Sequence, residues 1–116
     1  MALKVGCDIV FIPRFEKALR EGGEELRRRL FAPHESEGAG PERLAGIFAA
    51  KEAALKAVGA PAGGWLEFSL ERGEDGAPRL STTLPWLLEV SISHDGDYAL
   101  AVVAASEEEK NGQEHR

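Results

Sequence analysis

Residues 3–12, LKVGCDIVFI, form an apolar and largely β-branched run that predicts a strand. Pro13 closes it and opens a helix over PRFEKALREG, which the Gly22–Gly23 pair stops. EELRRRLF predicts a second short helix, and APHESEGAGP, rich in Gly, Pro and Ser, a loop. Pro41 suits the first turn of a helix that runs to about Gly59. After the loop APAGG, WLEFSLER and PRLSTTL predict strands joined by a turn over GEDGA. LLEVSISH and DYALAVVAA predict two more, joined at Asp95–Gly96, a strong hairpin signal. One strand, then helices, then a run of strands implies an α+β domain with helices packed on a mainly antiparallel sheet. There is no repeat or linker, so residues 1–105 read as one domain and 106–116 as a polar, flexible C-terminal tail.

The helix over 41–59 carries an anomaly. On a wheel of ~100° per residue with Leu44 at zero, Ile47, Phe48, Leu55 and Val58 fall within ~60° and form one apolar stripe. Lys51 lands inside that stripe, and Glu52 and Lys56 lie together on its flank. The remaining face is Ala45, Ala49, Ala53 and Ala57, which predicts a helix enclosed on most sides. One explanation is an ordinary Glu52–Lys56 pair with Lys51 snorkelling to the edge. The other is a carboxylate and an ammonium facing a site for metal and phosphate.

The formal net charge of −6 argues against general nucleic-acid binding. Charge is unevenly spread: seven of the 14 Lys and Arg lie in residues 1–30, namely Lys4, Arg14, Lys17, Arg20, Arg27, Arg28 and Arg29. Such a segment could greet an acidic partner, or simply be solvated helix surface. No apolar run is long enough to cross a membrane. The opening residues do not resemble a signal peptide, and the single Cys7 excludes an internal disulfide, so a cytoplasmic location is expected.

Two further positions stand out. Asp8 interrupts an apolar strand on the same side as Gly6, which has no side chain to obstruct a ligand. A buried carboxylate is costly unless it is satisfied. It either accepts backbone hydrogen bonds or joins a helix carboxylate in holding Mg²⁺, which takes a few hard oxygens and keeps waters or phosphate oxygens besides. His94 closes a strand at a hairpin tip, as a polar cap, a phosphate contact or a proton shuttle. Cys7 is expected to be a small core residue.

VGCDIVFIPRFEKAL, FAAKEAALKAVG and VSISHDGDYALAVV together resemble the three signature segments of the short bacterial holo-acyl-carrier-protein synthases, in the 4′-phosphopantetheinyl transferase superfamily. The resemblance covers nearly the whole chain. It implies a single phosphopantetheinyl transferase domain of fatty acid biosynthesis that moves 4′-phosphopantetheine from coenzyme A to a serine of an acidic apo acyl carrier protein, releasing adenosine 3′,5′-bisphosphate. It implies Mg²⁺ and a homotrimer with active sites between subunits. Carried over by position, Asp8 and Glu52 match the metal ligands, Lys56 a coenzyme A phosphate contact, and His94 and Gly59 the nucleotide end of the site. Arg14 matches a basic residue on the helix that docks the carrier, and the basic first quarter of the chain adds Arg20 and Arg28 as docking candidates. Glu35, in a segment similar to the family's F-T-x-x-E, is the candidate base for the seryl proton, with Glu52 as rival. Ile47 stands where many relatives carry arginine, and Ala32 where they carry threonine. The alternatives are a Mg²⁺-dependent pyrophosphate hydrolase and a non-catalytic coenzyme A or carrier-binding module.

Overall fold

A computed structural model describes residues 2–108. Strand β1 (Leu3–Phe11) leads into helix α1 (Ile12–Leu30), a single turn α2 (Pro33–Ser36) and the long helix α3 (Pro41–Val58). A 3₁₀ turn (Trp65–Glu67) precedes β2 (Phe68–Arg72) and β3 (Pro78–Thr82), and then β4 (Trp86–Asp95) and β5 (Tyr98–Glu107). The main sheet is antiparallel in the order β1-β5-β4, and β2 and β3 form a separate hairpin. The α+β expectation holds.

α3 lies on one face of the main sheet. Ala45, Ala49, Ala53 and Ala57 are buried together with Ala99, Ala101, Val103 and Ala105 of β5. Small side chains on both surfaces let helix and sheet approach closely. The approach is tightest at Gly6: a Cβ there would sit 2.7 Å from the backbone nitrogen of Ala57 and overlap the carbonyl oxygen of Ala53. The role expected for Gly6, clearance for a ligand, is corrected: its missing side chain is filled by α3. The same alternation turns Leu3, Val5, Cys7 and Ile9 to the opposite face, which is exposed. Cys7 is therefore not a core residue.

The Gly22–Gly23 break holds: Gly23 (φ 64°, ψ −156°) leaves helical geometry and divides α1 into two helical pieces, as the sequence predicts. Sequence boundaries shift in four other places. Residues 33–36, expected as loop, make a helical turn. Trp65–Glu67, expected at the start of a strand, are 3₁₀. Tyr98 pairs with Asp95, so the two-residue hairpin loop is Gly96–Asp97, with Gly96 at φ 58°. β5 continues to Glu107, opposite Trp86, so the folded unit passes residue 105. The expected tail lies, from residue 109 on, outside the described residues.

Candidate active site

Pro41 occupies the first turn of α3, and Gly59, left-handed at φ 72°, ends it. Within that frame Glu52 and Lys56 are one turn apart on the flank next to β1. Lys56 Nζ donates to Asp8 Oδ1 and to the carbonyl of Cys7, both at 3.0 Å. Asp8 is largely buried and Lys56 half exposed. The hydrogen bond to Asp8, chiefly, raises the Lys56 pKa, with the Asp8 charge adding to it, so the ammonium persists through neutral pH. Glu52 Oε2 accepts from the indole nitrogen of Trp65 at 2.6 Å. Asp8 and Glu52 line one cleft of about 430 Å³, together with Phe11, Arg14, Phe48 and Trp65.

Each carboxylate thus has one oxygen engaged. Asp8 Oδ2 and Glu52 Oε1 have no hydrogen-bond partner among the described residues, and neither is sealed from solvent. Two open carboxylate oxygens from a strand and a helix fit a hard cation such as Mg²⁺, whose other positions go to waters and substrate phosphates. No group of three or more His, Cys, Asp or Glu able to hold an ion occurs among the described residues. The arrangement suits a metal bound with its substrate better than a closed structural metal centre.

Lys51 takes a different path. It is fully buried, with Nζ donating to Glu35 Oε1 at 2.6 Å and to the carbonyl of Leu30 at 2.8 Å. Glu35 Oε1 also accepts from Ala32 N, and Oε2 from Leu70 N. Burial lowers the Lys51 pKa, and the bond to Glu35 opposes that. Snorkelling, one of the two explanations offered for Lys51, does not occur. Nor is Glu35 placed to take a seryl proton: its side chain has no exposed surface and both oxygens are occupied.

His94 lies elsewhere. Its Nε2 is 3.0 Å from the carbonyl of Glu42, and its ring packs where a Cβ on Gly46 would be, 3.1 Å away. It lines a second cleft with Arg43, Gly46, Ile47, Arg72 and Ile92. That cleft shares no lining residue with the one holding Asp8 and Glu52. Arg14 packs over the Phe11 ring, 5.5 Å from its centroid, at the rim of the carboxylate cleft. Arg20 and Arg28 are exposed on α1, and Arg28 lies 3.9 Å from Glu24. Trp65, Arg43 and Arg72 were not anticipated. For Arg43 a signal existed, since it is one turn before Ile47 on the same helix.

A small α+β domain with this order of strands and helices has known counterparts. Residues 4–103 match the model of the 4′-phosphopantetheinyl transferase superfamily, and the chain belongs to it. Among its relatives, the holo-[acyl-carrier-protein] synthase of Kocuria rhizophila is 46% identical over 120 residues, covering 94% of this chain and 96% of that protein. The Helicobacter pylori holo-[acyl-carrier-protein] synthase, solved with coenzyme A, superposes with a TM-score of 0.81 at 31% identity, over 88% of this chain and 99% of that one. The Bacillus anthracis synthase, solved with coenzyme A (3′,5′-ADP), gives 0.79 at 32% identity, over 93% and 100%. The resemblance carried by the three sequence segments holds in both family and fold.

Proposed function

We propose that this chain transfers 4′-phosphopantetheine from coenzyme A to a serine of an apo acyl carrier protein, with Mg²⁺ held by Asp8 and Glu52. The observation that carries the site assignment is the meeting, in one cleft, of two half-engaged carboxylates with Lys56 alongside. Superfamily membership and the relatives solved with coenzyme A support the substrate.

Phosphoryl transfer asks mainly for positioning and for neutralisation of spread negative charge. Bound Mg²⁺ supplies Lewis-acid neutralisation of the pyrophosphate and of the leaving bisphosphate. Lys56 adds a fixed cation, steadied by Asp8 until a phosphate displaces or shares it. The seryl hydroxyl loses its proton as it attacks; with Glu52 Oε1 given to the metal and Oε2 to Trp65, the acceptor is a water in the Asp8–Glu52 cleft, and Glu52 acts on the proton only through that water. Glu35 has no part in the step. His94 serves the nucleotide end, where Arg43 and Arg72 supply the cationic charge that Ile47 does not; Gly59, at the far end of α3, lines neither cleft and joins the nucleotide end from a neighbouring copy. Asp8 and His94 line separate clefts of one chain, so a site that uses both takes them from neighbouring copies, as the homotrimer reading requires. Arg14, Arg20 and Arg28 form the surface for the acidic carrier.

Intact-mass spectrometry of an apo carrier protein, incubated with this protein, coenzyme A and Mg²⁺, tests the reading. A chelator-sensitive gain of one phosphopantetheine is expected, lost in folded Asp8→Ala. Coenzyme A cleavage with an unmodified carrier would instead define a hydrolase. Binding of coenzyme A with no transfer to any of several carriers would define a binding module.

A further inference from the structure

Among the described residues, Trp65 is the one that hydrogen-bonds the Glu52 side chain, and no role in the reaction assigned above calls for it. It stands on the 3₁₀ turn after the Gly63–Gly64 bend, and Glu67 N bonds back to the carbonyl of Gly64. Its ring lies 6.3 Å from Phe48, and Phe48 is stacked 5.0 Å from Phe15 of α1. Glu52 follows Phe48 by one helical turn, so the aromatic row fixes the indole directly over the carboxylate.

We infer that Trp65 is a positioning residue: its indole N–H holds Glu52 Oε2 and presents Oε1 to the metal in the cleft. The inference rests on the metal reading of Glu52. The choice of donor matters. An indole has one N–H, no acceptor and no charge. It can fix the rotamer of a carboxylate without neutralising it, whereas lysine or arginine at the same place would compete with the cation for Glu52. It also occupies one oxygen, which favours binding through the other alone. Partners that orient a ligand in this way commonly change metal affinity by ~10–100-fold when removed.

The test uses Mn²⁺ as the probe, with coenzyme A present. The chain has two tryptophans, so Trp86→Phe leaves Trp65 as the sole indole. Saturable paramagnetic quenching of Trp65 emission by Mn²⁺ is expected, and its loss on adding Glu52→Gln. Trp65→Phe keeps an aromatic ring but no donor. Electron paramagnetic resonance of free Mn²⁺ should then report binding weakened by about tenfold or more, with an unchanged circular dichroism spectrum. If Trp65→Phe binds Mn²⁺ like the parent while Glu52→Gln does not, the positioning role is overturned and the metal reading stands. If Glu52→Gln leaves Mn²⁺ binding intact, both fall. Should Trp65→Phe fail to fold, the quenching experiment decides: unsaturable, Glu52-independent quenching overturns the proposal.

Discussion

Lys51 and Glu52 are adjacent in sequence and a third of a helical turn apart, and that rotation separates two kinds of chemistry. Glu52 reaches an open cleft; Lys51 enters the core and meets Glu35. A buried pair of this sort gains little over an apolar pair, but losing one partner leaves an uncompensated charge. Lys51→Met is therefore expected to cost about 3–5 kcal/mol in urea unfolding. Adding Glu35→Leu should recover only part of that. Glu35 also accepts from Ala32 N and Leu70 N, and Lys51 donates to Leu30, so those backbone groups stay unpaired. The wheel located Lys51 within the apolar stripe, which is where it lies. Its partner was not legible, because Glu35 sits in a stretch whose Gly, Ser and Pro content reads as exposed loop. Asp8, Glu52 and Lys56 were legible as charges misplaced on apolar elements. The Trp65 contact was hidden because period-two reading made WLEFSLER a strand, and a 3₁₀ start turns the indole to a different neighbour.

At the scale of elements, β1 and α3 make the site only because Gly6 lets them touch. Gly6→Ala would press a methyl group against the backbone of Ala53 and Ala57, and helix backbone cannot step aside as a side chain can. Overpacking of this kind costs about 1–3 kcal/mol. Calorimetry should show a lower melting temperature. Transfer should fall too, because β1 would carry Asp8 away from Lys56. The strand and helix order was readable from periodicity and Pro–Gly punctuation. What escaped depended on tertiary context: α2 is a single turn whose Glu35 caps Ala32 while pairing with Lys51, and the register that places the hairpin loop at Gly96–Asp97 is set by β5 pairing on both its edges.

For the whole molecule, the uncovered face of the main sheet carries an exposed apolar patch. Leu3, Val5 and Ile9 are 68%, 62% and 62% exposed, and Leu87, Leu100 and Val102 extend the patch across β4 and β5. Contiguous apolar surface of this kind marks an interface, and in the proposed trimer it packs against neighbouring copies. Val5→Glu with Val102→Glu should give a monomer in sedimentation velocity, folded but without transfer. Arg14, on the rim of the carboxylate cleft, belongs to a different surface. Arg14→Glu should leave the assembly intact and slow carrier association several-fold in stopped-flow, while the parent rate falls as salt rises. A salt-independent parent rate would remove the steering role.

The separation of His94 from Asp8 in one chain also sets a counting rule. If a working site takes Asp8 from one copy and His94 from the next, Asp8→Ala and His94→Ala chains damage opposite halves of it. Each variant alone makes only broken sites. Unfolded together in equal amounts and refolded, they assemble at random, and in a closed ring about one site in four joins two undamaged halves. Two inactive preparations would thus regain about a quarter of the parent activity on mixing, a recovery that a site contained within one chain could not produce.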